Sequence, residues 1–236
     1  MKSVKTMIFL FAGFLIASIA TLIFFYKPVT VFIFARANHI DIEYKKLNAG
    51  GINEFVFEGL KAVGQKKGMG LYSSNARIKF IFNGLDLRNT VANFTLKDVR
   101  FINKGIEKET SYSNIDGLVA IPFSSLWSYK EVSGKIGLIQ DGICIKNFIA
   151  TGDIIKFSFD GTLTRDQNIN ADIGVYFAEK LTGKIPPDLT NMVLKDEGVG
   201  WKSLKVKLEG DLAKPSISVT GKLFRLNIGV KSENPS

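Results

Sequence analysis

Few side chains in this chain are suited to nucleophilic or acid–base chemistry. The sequence holds one histidine, His39, and one cysteine, Cys144. A Ser-His or Cys-His pair would need His39 as its base, and no partner motif accompanies it. Cys144 lies between Ile143 and Ile145, where a small buried side chain is the ordinary role of a free cysteine. One thiol and one imidazole also exclude an intramolecular disulfide and a structural zinc site of the Cys/His type.

Glycine-rich and acidic motifs offer no catalytic alternative. After Gly68 and Gly70, Ser73 stands where a dinucleotide-binding fingerprint requires glycine, and the sequence has no phosphate-binding Gly-Lys-Ser/Thr loop. Carboxylate pairs such as Asp196 with Glu197 lie in polar, turn-like segments, and solvation accounts for them. The sequence therefore predicts a protein that is not an enzyme, with no catalytic residue, no metal site and no cofactor.

The formal net charge of the chain is +9, yet its basic residues form no concentrated tract. Lys205 and Lys207 alternate with apolar residues, as is typical of a strand with one solvated face. The sequence has neither zinc-finger spacing nor an aromatic RNA-binding signature. Nucleic acid is therefore not predicted as a partner.

The N-terminal region has the composition of a membrane anchor. Met7–Tyr26 is a run of 20 residues without a charge. At about 1.5 Å per residue, a helix of this length spans the roughly 30 Å of a bilayer's hydrocarbon. Pro28 predicts that the helix ends there. Lys2 and Lys5 favour a cytoplasmic N-terminus.

These features divide the chain into a cytoplasmic tail and transmembrane anchor, residues 1–28, and a domain outside the cytoplasm, residues 29–236. A cleaved signal peptide is the alternative, because Ser18 and Ala20 have the spacing of a cleavage site. The apolar run continues as far as Tyr26, however, which favours an uncleaved anchor.

Period-two alternation of apolar residues is the main pattern after residue 40, and it is typical of strands with one buried face. One short helix is predicted at Pro187–Leu194. The predicted fold is mainly β: an N-terminal transmembrane helix, then an elongated, curved antiparallel sheet or partly open barrel with few short helices. The clearest strands cover residues 54–63, 76–82, 91–102 with an irregularity at Lys97–Asp98, 155–163, 169–177, 204–208 and 217–223.

With so little helix to cover it, the apolar face of this sheet is a candidate groove for the acyl chains of lipids. The alternative is that the same side chains form a dry core. The candidate groove residues are Ile78, Phe80, Phe82, Phe157, Phe159, Ile173, Val175, Phe177, Leu204, Val206 and Leu208.

The order of these segments resembles that of AsmA-like proteins. The likeness is carried by residues 37–44, 55–63, 76–82, 134–138, 141–148, 155–163 and 208–217. It implies a protein of the bacterial inner membrane, with one span and its bulk in the periplasm, that binds or passes membrane lipid along an apolar groove in outer-membrane and envelope biogenesis. Nine strands at about 4.8 Å make a sheet only about 40 Å across, too short to bridge a periplasm alone.

The short, single-anchor form also resembles protein N of type II secretion systems. That resemblance implies a different role, as a non-enzymatic structural component of a secretion or other envelope machine, with envelope or secretion proteins as partners. The sequence does not predict an oligomeric state.

Overall fold

The computed structural model describes residues 26–66, 68–82, 90–103, 126–183, 186–212 and 214–228. Its architecture is a large, curved, open antiparallel sheet with few helices, which confirms the predicted β-rich fold. Apart from Tyr26, the predicted span Met7–Tyr26 lies outside the described residues. Among the helices that are described, none combines the length and the apolar character needed to cross a membrane.

The described residues form three helices and thirteen strands. The helices are α1 (residues 26–37), α2 (Glu179–Thr182) and α3 (Pro187–Val193). The strands are β1 (Ile40–Glu43), β2 (Lys46–Gly51), β3 (Glu54–Gly64), β4 (Met69–Ile81), β5 (Val91–Asn103), β6 (Ser128–Ile139), β7 (Gly142–Thr151), β8 (Ile155–Thr164), β9 (Asn168–Ala178), β10 (Lys195–Gly198), β11 (Trp201–Asp211), β12 (Ser216–Thr220) and β13 (Arg225–Ile228).

The strands follow one another across the sheet almost in chain order, β1-β3-β4-β5-β6-β7-β8-β9-β11-β12-β13. β1 and β2 both pair with the same edge of β3, each along a different part of its length, and β10 and β12 pair in the same way with one edge of β11. Ten spacings of about 4.8 Å make this path about 48 Å long. The estimate of nine strands was therefore wrong. It missed short strands such as β10, whose residues are all exposed and show no apolar alternation.

Most predicted elements lie where the alternation placed them. β3, β5, β8 and β9 match their predicted ranges closely, and α3 confirms the predicted helix. β4 begins earlier than predicted, at Met69. The strand predicted over residues 217–223 ends at Thr220, because a turn there leads into β13.

The helical segment α1 runs past Pro28, so the helix end predicted there was wrong. Within α1 the Thr30 hydroxyl donates to the Tyr26 carbonyl at 2.7 Å. The Asn38 amide nitrogen donates to the Phe34 carbonyl at 3.1 Å, beyond the last helical residue. A proline fixes φ near its helical value and disturbs only the turn before it, so helix on its C-terminal side is allowed.

The irregularity predicted at Lys97–Asp98 is present and extends over four strands. Asp98 and Gly59 have left-handed backbone, with φ of 50° and 64°. The pairing of β5 with β4 and β6 nevertheless keeps one register through this level. At this level the spacing between successive buried residues is three instead of two, and it is so on all four neighbouring strands. The buried pairs are Phe57 and Leu60, Ser73 and Ala76, Leu96 and Val99, and Tyr129 and Val132.

Val199 lies in the β10–β11 turn with φ of 51° and a fully exposed side chain, 100% of its surface being accessible. A β-branched residue is strained in this region, whereas asparagine tolerates it. We expect Val199→Asn to raise the free energy of unfolding by about 1 kcal/mol, since no packing is lost. Chemical denaturation checks this, with Val193→Asn, at an exposed residue of α3, as the control. A fall in stability for Val199→Asn would contradict the strain.

Candidate functional site

The pairing register places all eleven candidate groove residues on one face of the sheet, here called the inner face. Ile78 of β4 lies opposite Phe55 of β3, and Phe80 and Phe82 follow at two-residue steps. In the other half of the sheet, the direct pairs are Phe157 with Val175, Phe159 with Ile173, Ile155 with Phe177, Val175 with Leu204, Ile173 with Val206 and Ala171 with Leu208. One contiguous apolar surface thus crosses the sheet.

On β4, β6 and β7, exposure on the inner face rises from one end of the strand to the other. On β4 the side chains change from buried Ala76 to Phe82, which is 51% exposed. On β6 they change from buried Val132 to Leu138, which is 49% exposed. β7 repeats the trend from Ala150 to Ile143. We call the end that carries Phe82, Leu138 and Ile143 the open end, and the opposite end the closed end.

The candidate groove residues divide between these two environments. Ile78, Phe80, Phe159 and Phe177 are partly buried and Phe82 is exposed. The other six have little accessible surface and belong to the hydrophobic core, namely Phe157, Ile173, Val175, Leu204, Val206 and Leu208. Accessible surface among the candidates is therefore largest at Phe82 and smaller at Ile78, Phe80, Phe159 and Phe177, whereas Leu208 is buried even though it lies toward the open end.

The core at the closed end is built around aromatic rings. Tyr129 contacts Phe157 at 5.6 Å and Phe101 at 5.8 Å between ring centroids, both edge to face. Burial raises the pKa of the Tyr129 phenol. Among the described residues, helices contribute little to the hydrophobic core, which includes Val31 of α1 and Leu194 just after α3. The described part of the core is thus formed almost entirely by strands of the curved sheet.

Gly134 of β6 allows two rings to meet across the strand between them. Phe94 of β5 and Phe148 of β7 have ring centroids 5.7 Å apart. A Cβ atom on Gly134 would come within 2.9 Å of the Phe94 ring. Any side chain at this position would therefore push into the inner face midway between the two ends.

A cavity lies at the open end, between the β6–β7 and β8–β9 turns. Its volume is about 390 Å³, and its lining includes Leu138, Ile143, Leu163 and Arg165. Small-molecule sites commonly measure about 300–1,000 Å³. We call this cavity, together with the exposed side chains of Leu138 and Ile143, the mouth. The sequence pattern did not place these residues among the candidate groove residues, although Leu138 and Ile143 lie in segments that resemble AsmA-like proteins.

Helix α1 is attached to the sheet at the open end. The Tyr26 hydroxyl donates to the Ile52 carbonyl at 2.5 Å, and the Lys27 ammonium to the Gly51 carbonyl at 2.6 Å and to the Glu54 carbonyl. Burial lowers the pKa of Lys27, and the Glu54 carboxylate opposes this only in part. The ammonium also lies 5.2 Å from the centroid of the Phe55 ring. Lys27 thus ties the start of α1 to the β2–β3 turn.

The residues considered for chemistry are not brought together. His39 lies exposed between α1 and β1, with φ of 53°. Cys144 is partly buried and pairs with Gly137 and Thr162 on the outer face of the sheet. Within the described ranges, no group of three or more His, Cys, Asp or Glu residues has the arrangement of a metal site.

The candidate site is therefore the apolar inner face at its open end, and it offers contact with apolar groups rather than proton transfer or coordination. Comparison of the chain with protein-family models, with curated proteins and with solved structures found no match.

Proposed function

We propose that this protein is anchored in a bacterial inner membrane and binds an acyl chain of membrane lipid along the inner face of its periplasmic β-domain, from the mouth as far as Phe159, as a non-enzymatic participant in envelope and outer-membrane biogenesis. The observation that carries the proposal is the rise in exposure toward the open end on β4, β6 and β7, which leaves large apolar side chains next to the core uncovered. The apolar character of the predicted span Met7–Tyr26 and the resemblance to AsmA-like proteins supply the membrane and the envelope context.

Acyl chains suit the inner face because its exposed side chains are apolar. Phe80 and Phe82 line it on β4, with ring centroids 6.3 Å apart, and Phe80 lies 5.8 Å from Phe55. Across the sheet, Leu138 and Ile143 form a direct cross-strand pair. Burying apolar surface of a ligand against them contributes about 25 cal/mol per Å². A polar or charged substrate would gain much less from such a lining.

Photo-crosslinking in cells tests the proposal. A photoreactive amino acid at Phe159 faces the inner face, whereas one at the adjacent Ser158 faces outward; both positions are partly buried. We expect an adduct with the mass of a membrane lipid at position 159 and none at position 158. Repeated absence of lipid at position 159, in protein that is folded and membrane-bound, would overturn the proposal.

A structural role in a secretion or envelope machine is the second candidate, and the sheet edge favours it. Among the described strands β13 pairs only with β12, and its Leu226 side chain is exposed. An unpaired edge strand can receive a strand of another protein. A protein adduct in place of lipid, formed from a photoreactive group at Leu226, would favour this role.

A further inference from the structure

The chain enters the described domain at the open end of the sheet. Tyr26 and Lys27 bond to carbonyl groups of the β2–β3 turn, as described above. This turn and the end of β4 lie at the same end, because Glu54 pairs with Lys79. The last residue of the predicted membrane span, Tyr26, therefore lies beside the open end rather than the closed end.

Helix α1 then runs along the strands toward the closed end. The Gln65 amide donates to the His39 carbonyl at 2.9 Å, just beyond α1, and Ile40 pairs with Gly64 at the far end of β3. α1 thus begins beside the first residue of β3 and finishes near the last. From Tyr26 onward, α1 therefore runs from the open end of the sheet to the closed end.

Exposed apolar side chains lie at several turns of the open end. We call Ile52, Phe82, Leu138, Ile143 and Leu212 the rim. Ile52, at the tip of the β2–β3 turn, is 87% exposed, and the other four are also exposed.

Charged groups nearly cancel along the same turns, where Arg165 and Lys214 accompany Asp141, Asp166 and Asp211. Among the described residues of these turns, charge therefore favours neither an acidic nor a basic partner, and we expect apolar contact to dominate at the rim.

We infer that the rim docks on the surface of the bilayer that anchors the chain, with the strands directed away from the membrane. The inference rests on the proposed function and specifies its partner surface. The apolar face of an interfacial helix lies about 5–10 Å deep in the boundary between headgroups and acyl chains, and we expect the rim to reach a similar depth. The mouth then opens into the bilayer, so that an acyl chain can enter it without crossing water.

Depth-dependent fluorescence quenching tests this orientation. The full chain carries Cys144→Ser and one new cysteine, Ile52→Cys, Leu138→Cys or Leu212→Cys at the rim, or Val199→Cys at the closed end as the matched exposed control. Each labelled protein is reconstituted into phosphatidylcholine vesicles with or without a nitroxide on the upper acyl chain. We expect fluorescence at all three rim positions to fall to about half or less, with Val199→Cys unaffected.

The three rim positions distinguish this orientation from the main alternative, in which the β1–β2 edge of the sheet faces the membrane. β3 and β11 lie seven strand spacings apart, about 34 Å along the sheet. If the sheet instead stood on its β1–β2 edge, Ile52→Cys would be quenched and Leu212→Cys would not, which would overturn the inference. Quenching at no rim position, or equal quenching at Val199→Cys, would also overturn it.

Failure of the proposed function is measured separately. Alkaline extraction of the same vesicles reports whether the chain is anchored, and the lipid adduct at position 159 reports acyl-chain binding. An anchored protein that forms this adduct but lacks rim quenching would leave the proposed function standing and remove only the orientation.

Discussion

Phe157→Ala is expected to lower the free energy of unfolding by about 3–5 kcal/mol, the cost of deleting a large buried aromatic side chain. Phe157 is 1% exposed and lies at the centre of the closed end. Its ring contacts Phe148 at 5.2 Å and Tyr129 at 5.6 Å between centroids. Removal of the ring leaves a cavity that the surrounding strands cannot fill, because their hydrogen-bonded register holds them in place.

The matched control is Phe82→Ala, the same substitution on the same face at the open end. Because about half of the Phe82 side chain is already in water, we expect this variant to lose at most about 1 kcal/mol. Denaturant unfolding in mild detergent, followed by the fluorescence of Trp127 and Trp201, measures both. Equal losses in the two variants would show that both ends are packed core, and the distinction between them would fail.

This contrast marks the limit of what local sequence pattern predicts. Phe82 continues the two-residue series of Ile78 and Phe80, and Phe157 lies between Lys156 and Ser158. Period-two alternation correctly assigns both to the inner face. How far each is covered depends on the curvature of the sheet and on the rings that other strands bring against it, as β6 and β7 do for Phe157. Those contacts are non-local, so the list of groove residues mixed six core positions with the accessible ones.

Other elements were missed because their signal is weak. β10 carries Lys195, Asp196 and Glu197 on exposed positions, and its pairing with β11 depends on backbone groups that every sequence has. On β6, Gly134 and Gly137 interrupt the alternation that leads to Leu138. The absence of a side chain at Gly134 leaves room for the Phe94 and Phe148 rings to approach each other. This contact between rings is seen in the structure but cannot be read from the sequence of β6.

Helix α1 shows the same dependence on tertiary contacts. Pro28 is a reasonable stop signal when read alone. The structure extends the helix because Lys27 and Tyr26 are bonded to the β2–β3 turn and Val31 reaches the core. These partners lie more than twenty residues away in the sequence, so no local pattern contains them.

The largest expected effect on function is that of two charges placed in the mouth. The variant Leu138→Asp/Ile143→Asp replaces a direct cross-strand pair of exposed apolar side chains. An acyl chain would then have to displace water from two carboxylates, and removing the water from each carboxylate costs several kcal/mol. A loss of about 1.4 kcal/mol in binding free energy lowers the affinity tenfold. We expect the amount of lipid retained by the full chain, measured by native mass spectrometry after mild extraction, to fall at least about tenfold.

The control carries the same change in charge at the opposite end. Val199→Asp/Leu223→Asp replaces two exposed apolar residues of closed-end turns. Because both residues lie at the end of the sheet opposite the mouth, we expect lipid retention to equal that of the unaltered protein. Thermal unfolding of both double variants shows whether the sheet is intact, which is expected because Val199 and Leu223 are largely in water and Leu138 and Ile143 are about half exposed. If the mouth variant were folded and still retained lipid fully, acyl chains would not enter between β6 and β7, and the mouth would lose its role as the lipid site.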